Sequence, residues 1–120
     1  MPKILILDDR DLNAKSLAYF LKTLGYIAVT SSDPLGFVEL LEREKPDLAL
    51  VDVKMPALSG DSLVEFVKSQ PNVHRCPLVL WSSLYPEELR RLAKSSGADG
   101  YIHKSVKPDE LEEEVRRYLR

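Results

Sequence analysis

Short apolar runs alternate along this chain with longer stretches whose apolar residues recur every three or four positions. Ile4–Leu7, Leu48–Val51 and Leu78–Trp81 contain no polar break. Such runs suit strands buried on both faces, as in parallel sheets covered by helices. Tyr26–Thr30 and Gly100–His103 are weaker strand candidates. Helical patterns lie between and after them, carried by Leu17, Phe20, Leu21 and Leu24, by Leu35, Val38 and Leu41, and by Leu63, Phe66 and Val67. Two more are carried by Leu89, Leu92 and Ala93, and by Leu111, Val115, Tyr118 and Leu119. Each set is predicted to be the buried face of its helix. Gly25 and Gly97 are expected to end helices in the left-handed conformation that glycine tolerates. Ser32 or Asp33 can cap the second helix with Pro34 in its first turn, and Lys45-Pro46 closes it. Pro86 and Pro108 open the last two helices, and the acids that follow favour the positive helix end.

Five strands alternating with five helices predict an α/β fold, a mainly parallel five-stranded sheet with helices on both faces, and the order expected by likeness to flavodoxin-like folds is 2-1-3-4-5. One domain is expected across residues 1–120. Right-handed crossovers bring every strand's carboxyl end to one edge, where ligands of such folds bind. The residues at those ends are therefore the candidate chemistry. The first strand delivers Asp8 and Asp9, the third Asp52, the fourth Ser82 and the fifth Lys104. The second ends in Thr30-Ser31-Ser32, suited to helix capping. In the order 2-1-3-4-5 the four chemistry-bearing strands are neighbours.

Composition narrows the reading. Of the 120 residues, 44% are hydrophobic and 30% charged, the balance of a globular domain. A net charge of −2 gives no reason to expect nucleic-acid or anionic-membrane binding by this domain. The single Cys76 cannot form an internal disulfide, which favours a reducing, cytoplasmic setting, and no group beside it in sequence would activate its thiol. Met1-Pro2-Lys3 leads into only four apolar residues, unlike a signal peptide, and no run is long enough to span a bilayer. His74 and His103 lack metal-ligand spacing and are assigned surface or strand roles. Arg120 directly follows the last helix, so the chain is either a single-domain protein or part of a longer one.

Taken alone, an acid at a strand end is usually a turn former or helix cap. Asp8, Asp9 and Asp52 together are different. Three gathered carboxylates and one lysine leave a net charge of two negatives, which a divalent cation would cancel. Mg²⁺ fits such hard oxygen ligands. Trp81 alternates with Ser82 and is expected to point into the core, away from these groups.

The ordered set is specific. Asp8-Asp9, Asp52 with Met55-Pro56 and Gly60, Ser82-Ser83, and Gly97-Ala98-Asp99-Gly100-Tyr101 leading to Lys104 resemble a response-regulator receiver domain over nearly the whole chain. The resemblance implies that Asp52 is the phosphoacceptor. It implies that Asp8, Asp9, Asp52 and the Lys54 backbone carbonyl hold Mg²⁺. It casts Ser82 and Lys104 as the groups that contact the phosphoryl oxygens and Tyr101 as a switching aromatic. It further implies a histidine kinase or phosphotransfer protein as donor and a protein target downstream, with no membrane or direct nucleic-acid contact. Such a protein is a phosphoacceptor that assists its own modification, not an enzyme acting on a separate substrate. The competing reading is a pseudo-receiver, an interaction module without the chemistry. An aspartate-nucleophile phosphatase would instead carry Asp-x-Asp after the first strand.

One position departs from the pattern. Receiver domains usually follow the lysine with a cis proline, whereas Ser105 follows Lys104 here. The expectation is a cis Lys104–Ser105 peptide that aims the lysine as the proline would.

Overall fold

A computed structural model describes residues 1–119, the Asp11 side chain excepted. Five strands form one parallel sheet: β1 (Lys3–Leu7), β2 (Ile27–Ser31), β3 (Leu48–Asp52), β4 (Leu78–Ser82) and β5 (Gly100–His103). Their order is β2-β1-β3-β4-β5, as expected. Five α-helices connect and cover them: α1 (Asp11–Thr23), α2 (Phe37–Glu44), α3 (Gly60–Ser69), α4 (Pro86–Ser96) and α5 (Pro108–Tyr118).

The inner strands β1, β3 and β4 are apolar along most of their length because both faces are covered. One parity of β1 and β3, Ile4, Ile6, Leu48 and Leu50, packs under α1 and α5 with Leu17, Leu21, Leu111 and Val115. The other parity, Leu5, Leu7, Ala49 and Val51, packs under α2, α3 and α4 with Phe37, Leu41, Val64 and Leu89. β3 and β4 are buried along their whole length. β2 lies at the edge and is only partly buried, which accounts for its weak sequence pattern.

Gly25 and Gly97 do take left-handed conformations, with φ of 94° and 80°. Lys45 does so too, at φ 45°, and closes α2. Two helix faces differ from the periodicity reading. Leu35 is 77% exposed because Pro34–Gly36 forms a separate 3₁₀ turn, capped by Asp33 through the Leu35 N–H. A 3₁₀ turn has three residues per turn, so Leu35 falls out of phase with Leu41. Phe66 is 53% exposed, and Val64 takes its place between Leu63 and Val67. Both triplets have helical spacing; the side on which α4 packs selects the second.

Candidate phosphoacceptor site

β1 and β3 run side by side, Leu7 opposite Val51, so the residues that follow in register are Asp8 and Asp52. Both continue the parity that faces α1 and α5. Asp8 is fully buried and Asp52 nearly so. The Asp8 carboxylate accepts the Arg10 N–H at 2.9 Å, an Asx turn that bends the chain out of β1 and into α1. Asp8 is thus a turn former as well as a site acid. Met55 is buried beneath the loop after β3. Gly60 closes that loop by donating its N–H to the Val53 carbonyl at 2.9 Å. A β-carbon on Gly60 would lie 2.0 Å from the Asp52 carbonyl oxygen. Only glycine lets the start of α3 approach the strand end so closely. Sequence reading took this glycine only as part of the motif after Asp52 and missed its contact with the Asp52 backbone.

Asp8, Asp9 and Asp52 each place a carboxylate oxygen within 4.8 Å of the others. One oxygen of Asp9, Oδ1, is buried and has no hydrogen-bond partner. A buried carboxylate oxygen without a donor is costly in isolation, and a hard cation satisfies it. The donor set therefore fits a divalent metal held by oxygen. The Lys54 side chain is exposed and lines the mouth of the adjoining groove.

Lys104 reaches this cluster from the end of β5. Its Nζ donates to Asp8 Oδ2 at 2.9 Å and lies 3.3 Å from Asp52 Oδ1. The Asp52 carboxyl is pushed up from 3.8 to about 6, chiefly by burial. The Lys104 charge opposes that rise and the Asp8 charge adds to it. Ser82 is buried at the end of β4, its Oγ accepting the Leu84 N–H at 3.2 Å. A hydroxyl that accepts there keeps its own proton to donate. Ser82 has the opposite parity from Asp52, on the side where half-buried Tyr101 packs.

Two expectations need correction. The Lys104–Ser105 peptide is trans; there is no cis bond among the described residues. A cis bond before a non-proline residue costs about 2.5–4 kcal/mol, and nothing here demands it, since the lysine reaches both acids by a trans path. Trp81 is core, packed with Ile4, Ile6 and Val79, but it does not point away from the site. It pairs in register with Asp52 and so shares its face. Its ring lies 5.9 Å from the Lys104 ammonium, within cation–π range. With Leu17, Phe20 and Leu111 it lines a groove of about 490 Å³ that opens onto Asp52. Alternation within β4 showed that Trp81 and Ser82 oppose each other; only the register with β3 shows which of them shares the Asp52 face.

Other groups lie outside this chemistry. The Cys76 thiol is pushed up to about 11 by burial, consistent with an unreactive side chain. His74 Nε2 sits 2.7 Å from the Pro46 carbonyl, a structural contact.

A flavodoxin-like sheet with three acids and a lysine gathered at its carboxyl edge defines a chemotaxis-regulator type of α/β domain. The chain belongs to the response regulator receiver domain family, whose model matches residues 4–116. It is 32% identical over 118 residues to the alkaline phosphatase synthesis transcriptional regulatory protein PhoP of Bacillus subtilis, covering 98% of this chain and 48% of PhoP. It is 33% identical over 117 residues to protein RcaC of Microchaete diplosiphon, covering 98% of this chain and 18% of RcaC. The chain thus spans less than half the length of either relative. The BeF₃-activated receiver domain of Klebsiella pneumoniae RstA superposes with a TM-score of 0.90 at 30% identity, covering 98% of both chains. Vibrio cholerae chemotaxis protein CheY4 superposes at 0.87 with 25% identity, covering 99% of both. No helix among the described residues is long and apolar enough to cross a membrane.

Proposed function

We propose that this chain is a phosphorylation-dependent signalling switch that accepts a phosphoryl group on Asp52. The observation that carries the proposal is the buried Asp52 carboxylate, 3.3 Å from Lys104 and grouped with an unpartnered Asp9 oxygen. The donor is the phosphohistidine of a histidine kinase or phosphotransfer protein. An Asp52 oxygen attacks phosphorus, an O–P bond forms as the N–P bond breaks, and the imidazole departs with the bonding electron pair. With its carboxyl near 6, Asp52 is mostly ionised at neutral pH and ready to act as nucleophile.

Asp8, Asp9 and Asp52, with the Lys54 carbonyl, would hold Mg²⁺, which when bound offsets the charge that builds up on the transferring oxygens. Lys104 pairs with the carboxylates before transfer and swings its hydrogen bond to a phosphoryl oxygen afterwards. Ser82 donates its hydroxyl proton to a second phosphoryl oxygen. Its movement toward the phosphoryl group opens space on the side where Tyr101 packs, and the Tyr101 ring turns inward. A downstream protein reads the altered surface of α4, β5 and α5. The chain is a phosphoacceptor that speeds its own modification, not an enzyme on a separate substrate, and it acts in the cytoplasm. A trans peptide with the lysine far from Asp52 would favour the pseudo-receiver reading; the peptide is trans, but the Lys104 ammonium lies 3.3 Å from Asp52, which supports the switch.

Incubation with acetyl phosphate and Mg²⁺ should yield an acyl phosphate, detected as a mass increase labile to hydroxylamine. Asp52→Asn, or omission of Mg²⁺, should reduce labelling to background. Equal labelling of the Asn variant would remove Asp52 from the role.

A further inference from the structure

Lys104 is the first residue of a tight turn after β5. The turn is closed by the Val106 N–H donating to the His103 carbonyl at 3.0 Å. Inside it, the Ser105 N–H donates to Nδ1 of the His103 ring at 3.0 Å. The same nitrogen lies 2.7 Å from Ser105 Oγ, whose hydroxyl can share its lone pair. The backbone N–H pointed at Nδ1 makes that nitrogen the acceptor of the turn. A side-chain acceptor bonding the N–H two residues ahead is what Asn or Asp does in an Asx turn. His103 reproduces that geometry with a ring nitrogen. The turn it encloses contains the Lys104–Ser105 peptide, which is trans. From that turn Lys104 brings its ammonium over the Trp81 ring and to Asp8 and Asp52.

We infer that His103 is a positioning residue for Lys104: its imidazole clasps Ser105 and so holds the trans turn that aims the lysine at the phosphoacceptor. The clasp does for this chain what a rigid residue after the lysine would do. It needs an acceptor at 103 and an N–H at 105. The Trp81 ring completes the guide by supporting the ammonium from the sheet side. This inference rests on the phosphoacceptor reading for its effect on rate, but not for its effect on the lysine itself.

The test compares His103→Leu, which removes the acceptor, with His103→Asn, which restores one at Asx-turn geometry. Each is made in the native chain and with Lys104→Ala. One hydrogen bond of ordinary strength sets the scale. With acetyl phosphate and saturating Mg²⁺, His103→Leu should slow Asp52 labelling about fivefold. His103→Asn should stay within about twofold of native, and His103→Leu should add no further loss once Lys104 is alanine. The second readout is the ring-current shift that Trp81 imposes on the Lys104 side-chain methylene protons, measured by NMR without metal. That shift should shrink in His103→Leu and return in His103→Asn. His103→Ala gives the same comparison should the leucine variant fold poorly. An unchanged Lys104 shift, or equal slowing with and without Lys104, would overturn the inference. Should the native protein take no label while the Lys104 shift responds as described, the phosphoacceptor reading fails and the clasp stands.

Discussion

The two ends of the sheet treat charge in opposite ways. At the amino end, polar groups are paired and satisfied. The Lys3 N–H donates to Asp47 at 2.7 Å, while the Lys3 ammonium meets Glu44 at 3.3 Å. Asp99 accepts from the Lys68 ammonium at 2.7 Å and from the Leu78 N–H at 2.8 Å. Glu42 accepts the His74 N–H at 2.5 Å, and that bond is the main reason its carboxyl lies below the usual range. At the carboxyl end, three acids gather, two of them against one lysine, one carboxylate oxygen has no partner, and burial pushes Asp52 up to about 6. A lowered carboxyl marks interactions that favour the native charged form; a raised one marks a site unfavourable to its own charge. The amino end fastens the fold. The carboxyl end stores an electrostatic deficit of the kind a bound cation would relieve.

The sharpest way to break this contrast is Asp9→Ala. Removing the unpartnered acid should weaken Mg²⁺ affinity by roughly tenfold or more, since even supporting groups around a metal are worth that much. Melting temperature without metal should hold or rise, because a costly group is removed. Titration of Trp81 fluorescence with Mg²⁺, alongside a thermal melt, checks both. Global unfolding would make Asp9 a structural residue.

The Asp52 carboxyl gives a pH signature of known sign. Its value is raised on folding, so the native state binds the extra proton between 3.8 and about 6. The contribution to stability is fully present below 3.8 and is lost as pH rises through about 6. The loss is at most about 3 kcal/mol. Denaturant unfolding in EDTA should show native stability falling over this range relative to Asp52→Asn, with the variant the more stable at pH 7. Saturating Mg²⁺ should shrink the difference.

The smallest effect belongs to the amino end. Asp99→Ala should cost about 1–2 kcal/mol, because it removes the partner of the Leu78 N–H at the start of β4. Phosphorylation by acetyl phosphate should be unchanged. A large loss of labelling on this change would mean that the two ends are coupled through β4.

Much of this was legible in one dimension. Ile4–Leu7, Leu48–Val51 and Leu78–Trp81 read as strands because a sheet covered on both faces admits no alternation. A shared carboxyl edge followed from right-handed crossovers between parallel strands, so Asp8, Asp52, Ser82 and Lys104 were assigned to one edge without coordinates. Other features depended on neighbours distant in the chain. Leu35 and Phe66 satisfy helical spacing, yet lie exposed because local backbone and packing direction chose other residues. Periodicity defines a stripe but not which of two adjacent stripes faces inward.

The sequence by itself determined the strand and helix types, the parallel sheet and the identity of the acids at its carboxyl edge, because each follows from local pattern and the alternation of strand with helix. Tertiary structure alone decided that Gly60 must lie against the Asp52 carbonyl, that Trp81 shares the Asp52 face, and that Asp9 keeps an unpartnered oxygen. It also decided that Lys104 reaches its acids through a trans turn clasped by His103. Those features are set by register and close approach between segments far apart in the chain, and no local pattern encodes a distance of that kind.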